Sequence, residues 1–232
     1  MIVTFNGVDV ESVAPIKIVD VLVGSVQRAV TATDRAIAPG AYFVRSRAGT
    51  RTVQITFALL TMNRDTRQAQ LDALISWARS DAPAQLLLAG HPGRYLNAIC
   101  TGFPEPSLRQ WWEIKLRFTF TCYDPYWYEA TEHTVACGTA FTPGGNATPS
   151  VRITRTLSSA ASNQTYSNGS QSMVFSTIPA GSLVIDLDAQ TAAVGFTSIL
   201  QYLGRTSRFI KPTTGAQTIT GTGTVHYRAR WA

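Results

Sequence analysis

Alternation of hydrophobic and polar residues with period two dominates the chain. From Thr52 to Leu60, Val53, Ile55, Phe57 and Leu59 alternate with Thr52, Gln54, Thr56 and Ala58. From Trp112 to Cys122, Trp112, Ile114, Leu116, Phe118, Phe120 and Cys122 make one face, and Glu113, Lys115, Arg117, Thr119 and Thr121 make the other. Successive side chains of a strand point to opposite sides of a sheet, so each run predicts a strand with one buried and one wet face. Ile16 to Val23 is a β-branched run closed by Gly24, Leu86-Leu87-Leu88 is a short buried strand, and Tyr95 to Thr101 is another. Phe5-Asn6-Gly7-Val8 predicts a hairpin, because Asn-Gly accepts the positive φ angles of a tight turn. Ala38-Pro39-Gly40 and His91-Pro92-Gly93 are further turns.

One segment has the helical period instead. Leu71, Leu74, Ile75 and Ala78 follow the i, i+3, i+4, i+7 stripe. Asn63 is a capping residue, Asp65 sits where the helix dipole favours an anion, and Pro83 blocks continuation. The expected helix spans residues 64–80.

Beyond Ala130 the composition shifts to Thr, Ser, Gly and Asn, and no helical stripe remains. Strands are expected at Val151–Thr156, Ser172–Ser176, Ser182–Leu187 and Thr224–Trp231. Turn signals such as Asn168-Gly169 and Asp188-Ala-Gln190 separate them. Short strands punctuated every 8–12 residues predict a sandwich. A domain boundary is therefore placed near residue 130, giving an N-terminal domain over 1–130 and a β-sandwich over 131–232.

Composition supports a strand-rich, folded chain. Of 232 residues, 45% are hydrophobic, only 15% are charged, and 29 are Thr. The net charge of +6 comes from 17 Arg and 3 Lys with no block of like charge, which argues against a dedicated DNA-binding tail. Arg-rich, Lys-poor surfaces are typical of interfaces and paired contacts. No apolar run reaches the roughly 18 residues of a membrane span, and the first residues lack the pattern of a secretion signal. The three cysteines, Cys100, Cys122 and Cys137, are odd in number and widely spaced, so free thiols are expected.

Catalytic patterns are missing. There is no Gly-x-Ser-x-Gly and no Gly-rich loop leading into a helix. His133 and Cys137 lie four apart, but no further ligands stand at zinc spacing. His226 is expected on the polar face of the last strand beside Arg228 and Arg230. Asp186 and Asp188 share one strand instead of flanking a cleft, which suits a soluble hairpin edge better than glycoside chemistry. The expectation is a protein that is not an enzyme, with no catalytic residue, no cofactor and no metal.

Four stretches together resemble the distal tail (Dit) family of long-tailed, siphovirus-type phages. They are Pro39-Gly40 with Arg51 leading into Val53–Phe57; Arg64-Asp65 through Leu71–Trp77; Leu86–Leu88 with Pro92-Gly93-Arg94-Tyr95-Leu96-Asn97-Ala98; and Leu116–Cys122 running into Asp124-Pro125-Tyr126-Trp127. The last is the most specific. Softer signals, Pro149–Ile153 and Gly181–Asp186, are similar to the family's C-terminal domain. The resemblance implies a mainly β fold: an N-terminal β-sandwich or barrel-like domain with one α-helix, and a C-terminal galectin-like, jelly-roll sandwich. It implies a structural virion protein made in the host bacterial cytoplasm and located at the tail tip. Six copies would form a ring joining the tail tube to the host-attachment apparatus, with the tail tube protein, the tape measure protein and a tail-associated protein as partners. Genome DNA would pass through without sequence-specific binding, and no membrane insertion is implied.

Within that frame the segment Val30 to Arg51 is expected to reach a neighbouring subunit. It lies between two strand regions as a long, turn-rich excursion, and such loops tend to be functional. The candidate interface residues are Arg35, Tyr42, Phe43, Arg45, Arg47 and Arg51. The competing reading keeps the segment as a hairpin packed on its own domain. A second function class, a carbohydrate-binding module, would use exposed aromatics of the C-terminal sandwich, for which Tyr166, Phe196, Tyr202 and Tyr227 are candidates.

Overall fold

The computed structural model describes residues 2–34, 39, 41–60, 63–104 and 114–232. Arg35, Ile37, most of the Ala38-Pro39-Gly40 turn, Trp112 and Glu113 therefore lie outside the described residues. The chain divides into two compact units, Met1–Trp127 and Tyr128–Ala232.

Unit 1 contains β1 (Val3–Phe5), β2 (Val8–Asp9), β3 (Ile16–Val23), β4 (Arg28–Asp34), β5 (Ala41–Ala48), β6 (Arg51–Leu59), α1 (Arg64–Ala78), β7 (Ala84–Leu88), β8 (Arg94–Gly102) and β9 (Ile114–Cys122). Every pairing is antiparallel. One set runs β3-β6-β9 and the other β2-β1-β7. Strand β8 belongs to both: Tyr95–Ala98 pair with β7, while Ile99–Gly102 pair with β9. A strand that changes partners midway turns a corner between two sheets. The turn is sharp enough to bring Phe5 of β1 against Phe120 of β9, with ring centroids 5.1 Å apart. On a flat sheet those strands, three spacings apart, would be separated by roughly 14 Å. The unit is thus mainly β and barrel-like.

Helix α1 closes it. Asn63 Oδ1 accepts from the amides of Asp65 (2.9 Å) and Thr66 (3.4 Å), which satisfies two of the donors left open at a helix start. The helix ends at Ala78, two residues before the expected limit, because Arg79 is already extended. Leu71, Leu74 and Ala78 are buried as the stripe requires. Trp77 carries the most contact. Its ring meets Phe5, Phe57, Phe118 and Phe120 at 5.8, 6.1, 6.4 and 6.1 Å, all edge-on. Its indole N–H donates to Val8 O at 3.0 Å. The helix is therefore bonded to one sheet and packed on both.

The hairpin signal at residues 5–8 is realised: Asn6 and Gly7 have φ of 51° and 79°, and Phe5 pairs with Val8. Two positive φ angles in sequence are what the tight turn demands and what Asn-Gly tolerates.

Unit 2 begins within β10 (Trp127–Glu129) and continues through β11 (His133–Ala136), β12 (Ala140–Phe141), β13 (Ala147–Leu157), β14 (Ala161–Ser167), β15 (Ser172–Ile178), β16 (Gly181–Asp186), β17 (Thr191–Val194), β18 (Thr197–Ser198), β19 (Gln217–Thr218) and β20 (Thr224–Trp231). Strands β18-β17-β16-β13-β20-β11 form one antiparallel sheet. Strands β14 and β15 pair as a separate hairpin. Inward residues of the sheet, Val151, Ile153, Leu183, Ile185 and Val225, share one core with Tyr166, Met173 and Phe175 of the hairpin.

Truncating Trp77 to Ala removes all four ring contacts and the bond to Val8. The expected cost is about 3–5 kcal/mol, the usual range for deleting a buried aromatic. Chemical denaturation of the full chain, followed by the near-ultraviolet signal, checks this; a loss below about 1 kcal/mol would mean that the helix does not hold the two sheets.

Candidate assembly surface

The segment read as an irregular excursion is a regular two-stranded ribbon, which corrects that expectation. β4 and β5 pair from Arg28↔Ala48 to Asp34↔Ala41 and, among the described residues, form no strand pairing with the rest of unit 1. The ribbon grows out of the β3–β6 hairpin. At its root the Gly24 amide donates to Thr52 O (2.8 Å), the Gln27 amide to Thr50 O (3.2 Å) and the Gly49 amide to Gln27 O (2.7 Å). The backbones run so close that a Cβ on Gly24 would stand 2.9 Å from Thr52 O. Glycine is required there by space.

Register assigns side chains to faces. Directly paired residues of an antiparallel ribbon point the same way. Arg28, Val30 and Ala32 lie with Ala48, Ser46 and Phe43 on one face. Ala29, Thr31 and Thr33 lie with Arg47, Arg45 and Tyr42 on the other. The register shifts between Thr31 and Ala32, leaving Val44 as the extra residue of a bulge. Without it, Phe43 would share the face of Arg45 and Arg47. The bulge thus sorts the ribbon into one face with Val30 and Phe43, carrying Arg28 at the root end, and a second face with Arg45, Arg47 and Tyr42.

Neither face is covered by the described parts of the chain. Val30 is 61% exposed, Tyr42 60%, Phe43 68% and Val44 55%. An isolated two-stranded ribbon is marginal in water, and contiguous apolar exposure of this kind marks interaction surfaces. The competing reading, a hairpin packed on its own domain, shares this secondary structure and differs in what covers these side chains. Arg51 does not belong to this surface. It is 5% exposed, in phase with Val53, Ile55 and Phe57 on the inner face of β6, and its guanidinium lies 5.8 Å from the centre of the Trp127 ring. Burial holds its pKa below the usual arginine value, opposed by the neighbouring Cys122. Of the remaining candidates, Tyr42, Phe43, Arg45 and Arg47 sit on the ribbon, and Arg35 lies outside the described residues.

The residues that carry chemistry elsewhere are engaged structurally. In unit 2, Glu132 binds Arg152 at 2.9 Å and His226 Nδ1 at 3.3 Å, with Arg228 at 3.8 Å, while His226 Nε2 meets Thr154 Oγ1 at 2.8 Å. The order carboxylate, imidazole, hydroxyl is that of a catalytic relay, but two arginines hold the carboxylate. Burial raises the Glu132 carboxyl, and the bonds to Arg152 and His226 with the charge of Arg228 outweigh it, leaving the pKa lowered. The stability this cluster contributes is present above the ordinary carboxylate range and is lost as pH falls through the lowered value. Arg230, expected on the polar face beside His226 and Arg228, is instead buried, stacked at 4.4 Å on Tyr128 and paired with Asp188. Asp186 Oδ1 accepts from the amides of Asp188 and Ala189, both at 2.9 Å, and so shapes a turn. His91 stacks on Trp127 at 4.3 Å, and His133 on Tyr227 at 5.2 Å.

Among the described residues no group of three His, Cys, Asp or Glu is placed to hold a metal ion. An open cleft of about 470 Å³ in unit 2 is lined by residues such as Asn168, Ser170, Thr213 and Gln217, none of them an acid, a base or an aromatic. The four aromatics considered for sugar binding part company: Tyr166 is core, Tyr202 and Tyr227 pack against the core, and Phe196 stands fully exposed.

No family model matches the chain, and no curated protein sequence matches it either. Solved structures do. The crystal structure of the phage SPP1 Dit protein (gp 19.1), described as a hub of the adsorption apparatus in phages infecting Gram-positive bacteria, aligns with a TM-score of 0.79 at 15% identity, covering all of this chain and 99% of that one. Two structures of the phage P2 baseplate in its activated conformation, with calcium and with strontium, align with TM-scores of 0.52 and 0.53 at 9% and 8% identity. They cover 97% and 99% of this chain, and 92% and 96% of the matched chains.

All three cysteines are free thiols, with Cys100 and Cys122 buried. Desolvation pushes both up to about 11, against weaker opposing contributions from backbone hydrogen bonding at Gly102 and Thr119 for Cys100 and from Arg51 for Cys122. At pH 8 only about one thiol in a thousand would be the reactive thiolate. Alkylation of the native protein with iodoacetamide, read by mass spectrometry, should therefore spare Cys100 and Cys122, and unfolding in denaturant should expose both. Rapid native labelling of either would contradict their burial. The fold that surrounds these thiols and carries the ribbon is similar, over the full length of the chain, to that of the phage SPP1 Dit protein.

Proposed function

We propose that this chain is a distal tail protein: a non-enzymatic structural subunit of a phage virion, six copies of which form a ring at the tail tip. The observation that carries the reading is the end-to-end likeness of fold to the SPP1 Dit protein, spanning both units. The ribbon supplies the physical means. A ring of identical subunits needs a heterologous contact, in which one surface of a subunit meets a different surface of the next. A projecting ribbon with an uncovered apolar face is one half of such a contact. Fully burying Val30 and Phe43 would each contribute roughly 1.5–3 kcal/mol. Arg28 would border it, Tyr42, Arg45 and Arg47 would offer contacts from the opposite face, and aromatics and Arg are enriched at interfaces. In this reading residues 1–130 assemble, and residues 131–232 form the outward sandwich. The ring would join the tail tube protein and the tape measure protein to a tail-associated protein. The genome would cross it without sequence readout.

The test is particle mass in solution by light scattering, for the wild type and for Phe43→Ser. The wild type should form a closed oligomer six times the mass of the chain. Phe43→Ser should dissociate it while shifting the melting midpoint of the dissociated subunit little, since an exposed side chain contributes within about 0.5 kcal/mol to its own fold. A wild type that stays monomeric at high concentration overturns the ring. Unfolding of Phe43→Ser at room temperature would place Phe43 in the subunit's own core.

A further inference from the structure

The sheet β3-β6-β9 has a second face on which, among the residues below, only Ala58 is buried. Register places its residues in rows across the strands. Lys17, Ala58 and Lys115 form one row; Asp20, Thr56 and Arg117 the next; Leu22, Gln54 and Thr119 the third; and Thr52 with Thr121 the last. Thr101 of β8 extends the last row, its hydroxyl 2.8 Å from that of Thr121. Lys17, Lys115 and Arg117 are exposed, and none of them joins an ion pair among the described residues. Two of the chain's three lysines thus stand on this face, either side of Ala58 and roughly 10 Å apart across two strand spacings. Asp20 is its one acid among the described residues. The rest is Thr and Gln, apart from Ala58 and the exposed Leu22.

We propose that this face contacts the phosphate backbone of duplex DNA. Among the described residues, three exposed cations without an ion pair against one carboxylate give a local excess of positive charge, and charge of that sign on a broad surface fits a polyanion. Threonine hydroxyls and the Gln54 amide donate hydrogen bonds to phosphate oxygens without reading bases. Contacts to phosphates carry no sequence information, so contact is sequence-independent and weak. The inference rests on the proposed role as a tail conduit and deepens it by naming the residues that meet the genome.

The experiment uses the full chain, a fluorescent duplex of about 30 base pairs and arbitrary sequence, and anisotropy from about 50 to 200 mM salt. Three phosphate contacts predict an affinity that falls about 40-fold over that range. A variant with Lys17→Glu, Lys115→Glu and Arg117→Glu should lose at least about tenfold in affinity at the lowest salt and most of the salt dependence. A control with Arg205→Glu, Arg208→Glu and Lys211→Glu carries the same change in net charge on exposed positions of unit 2 and should bind like the wild type. Equal losses in both variants would show that net charge alone acts and would overturn the assignment. So would a face variant that binds normally, or a wild type that does not bind at low salt. Particle mass on the same samples separates the two proposals. A ring that ignores DNA overturns this one alone, and a monomer that binds through the face overturns the ring alone.

Discussion

The packing of Trp77 against Phe5, Phe57, Phe118 and Phe120 is the contact on which unit 1 depends. Phe5 comes from one sheet and the other three from the second. Without a body between them the corner at β8 would have no reason to close. The indole also fixes the helix in register through its bond to Val8, so one side chain sets distance and alignment together. Because the helix plugs the inner side, the hydrophobic face of β6 and β9 is fully used. The surfaces of the unit left open among the described residues are on the outside: the wet face of the β3-β6-β9 sheet and the ribbon that extends it.

The ribbon follows from the same strands. β3 and β6 are paired along their length, and their extension continues the pairing beyond the edge of the core. Gly24 and Gly49 permit the close backbone approach at the root. Past that point no core is available, yet the sequence still supplies Val30, Phe43 and Val44. A chain that places such residues beyond its own core leaves apolar area for another surface to cover. The bulge at Val44 keeps Phe43 on the face of Val30, with Arg28 at its root end, and sets Arg45 and Arg47 on the other. This segregation is what distinguishes a docking element from a loop that happens to be apolar.

Much of this was legible in the sequence, and the failures have physical causes. The β6 and β9 strands announced themselves because strict alternation over a half-buried sheet leaves little freedom in residue choice. The helix was readable because its cap and stripe are local. The ribbon was not, since exposed strands have no core to enforce a pattern, and the bulge breaks the alternation of Ala41–Ala48. Strand β14 was missed for a similar reason: of Ala161–Ser167 only Tyr166 is buried. Arg51 was misassigned by residue type, although its phase with Val53 and Ile55 carries the signal of burial. Arg230 likewise turned inward because Asp188 and Tyr128 receive it, and no sequence spacing announces a partner 42 residues away.

The central claim is that the ribbon is covered by a second copy of the chain. Hydrogen–deuterium exchange of the backbone amides over residues 28–34 and 41–48 tests it most directly, because it reads cover at the ribbon itself. The account predicts slow exchange at high protein concentration and fast exchange on dilution below the assembly threshold, with the amides of β6 and β9 protected throughout. Fast exchange along the ribbon at every concentration would contradict it.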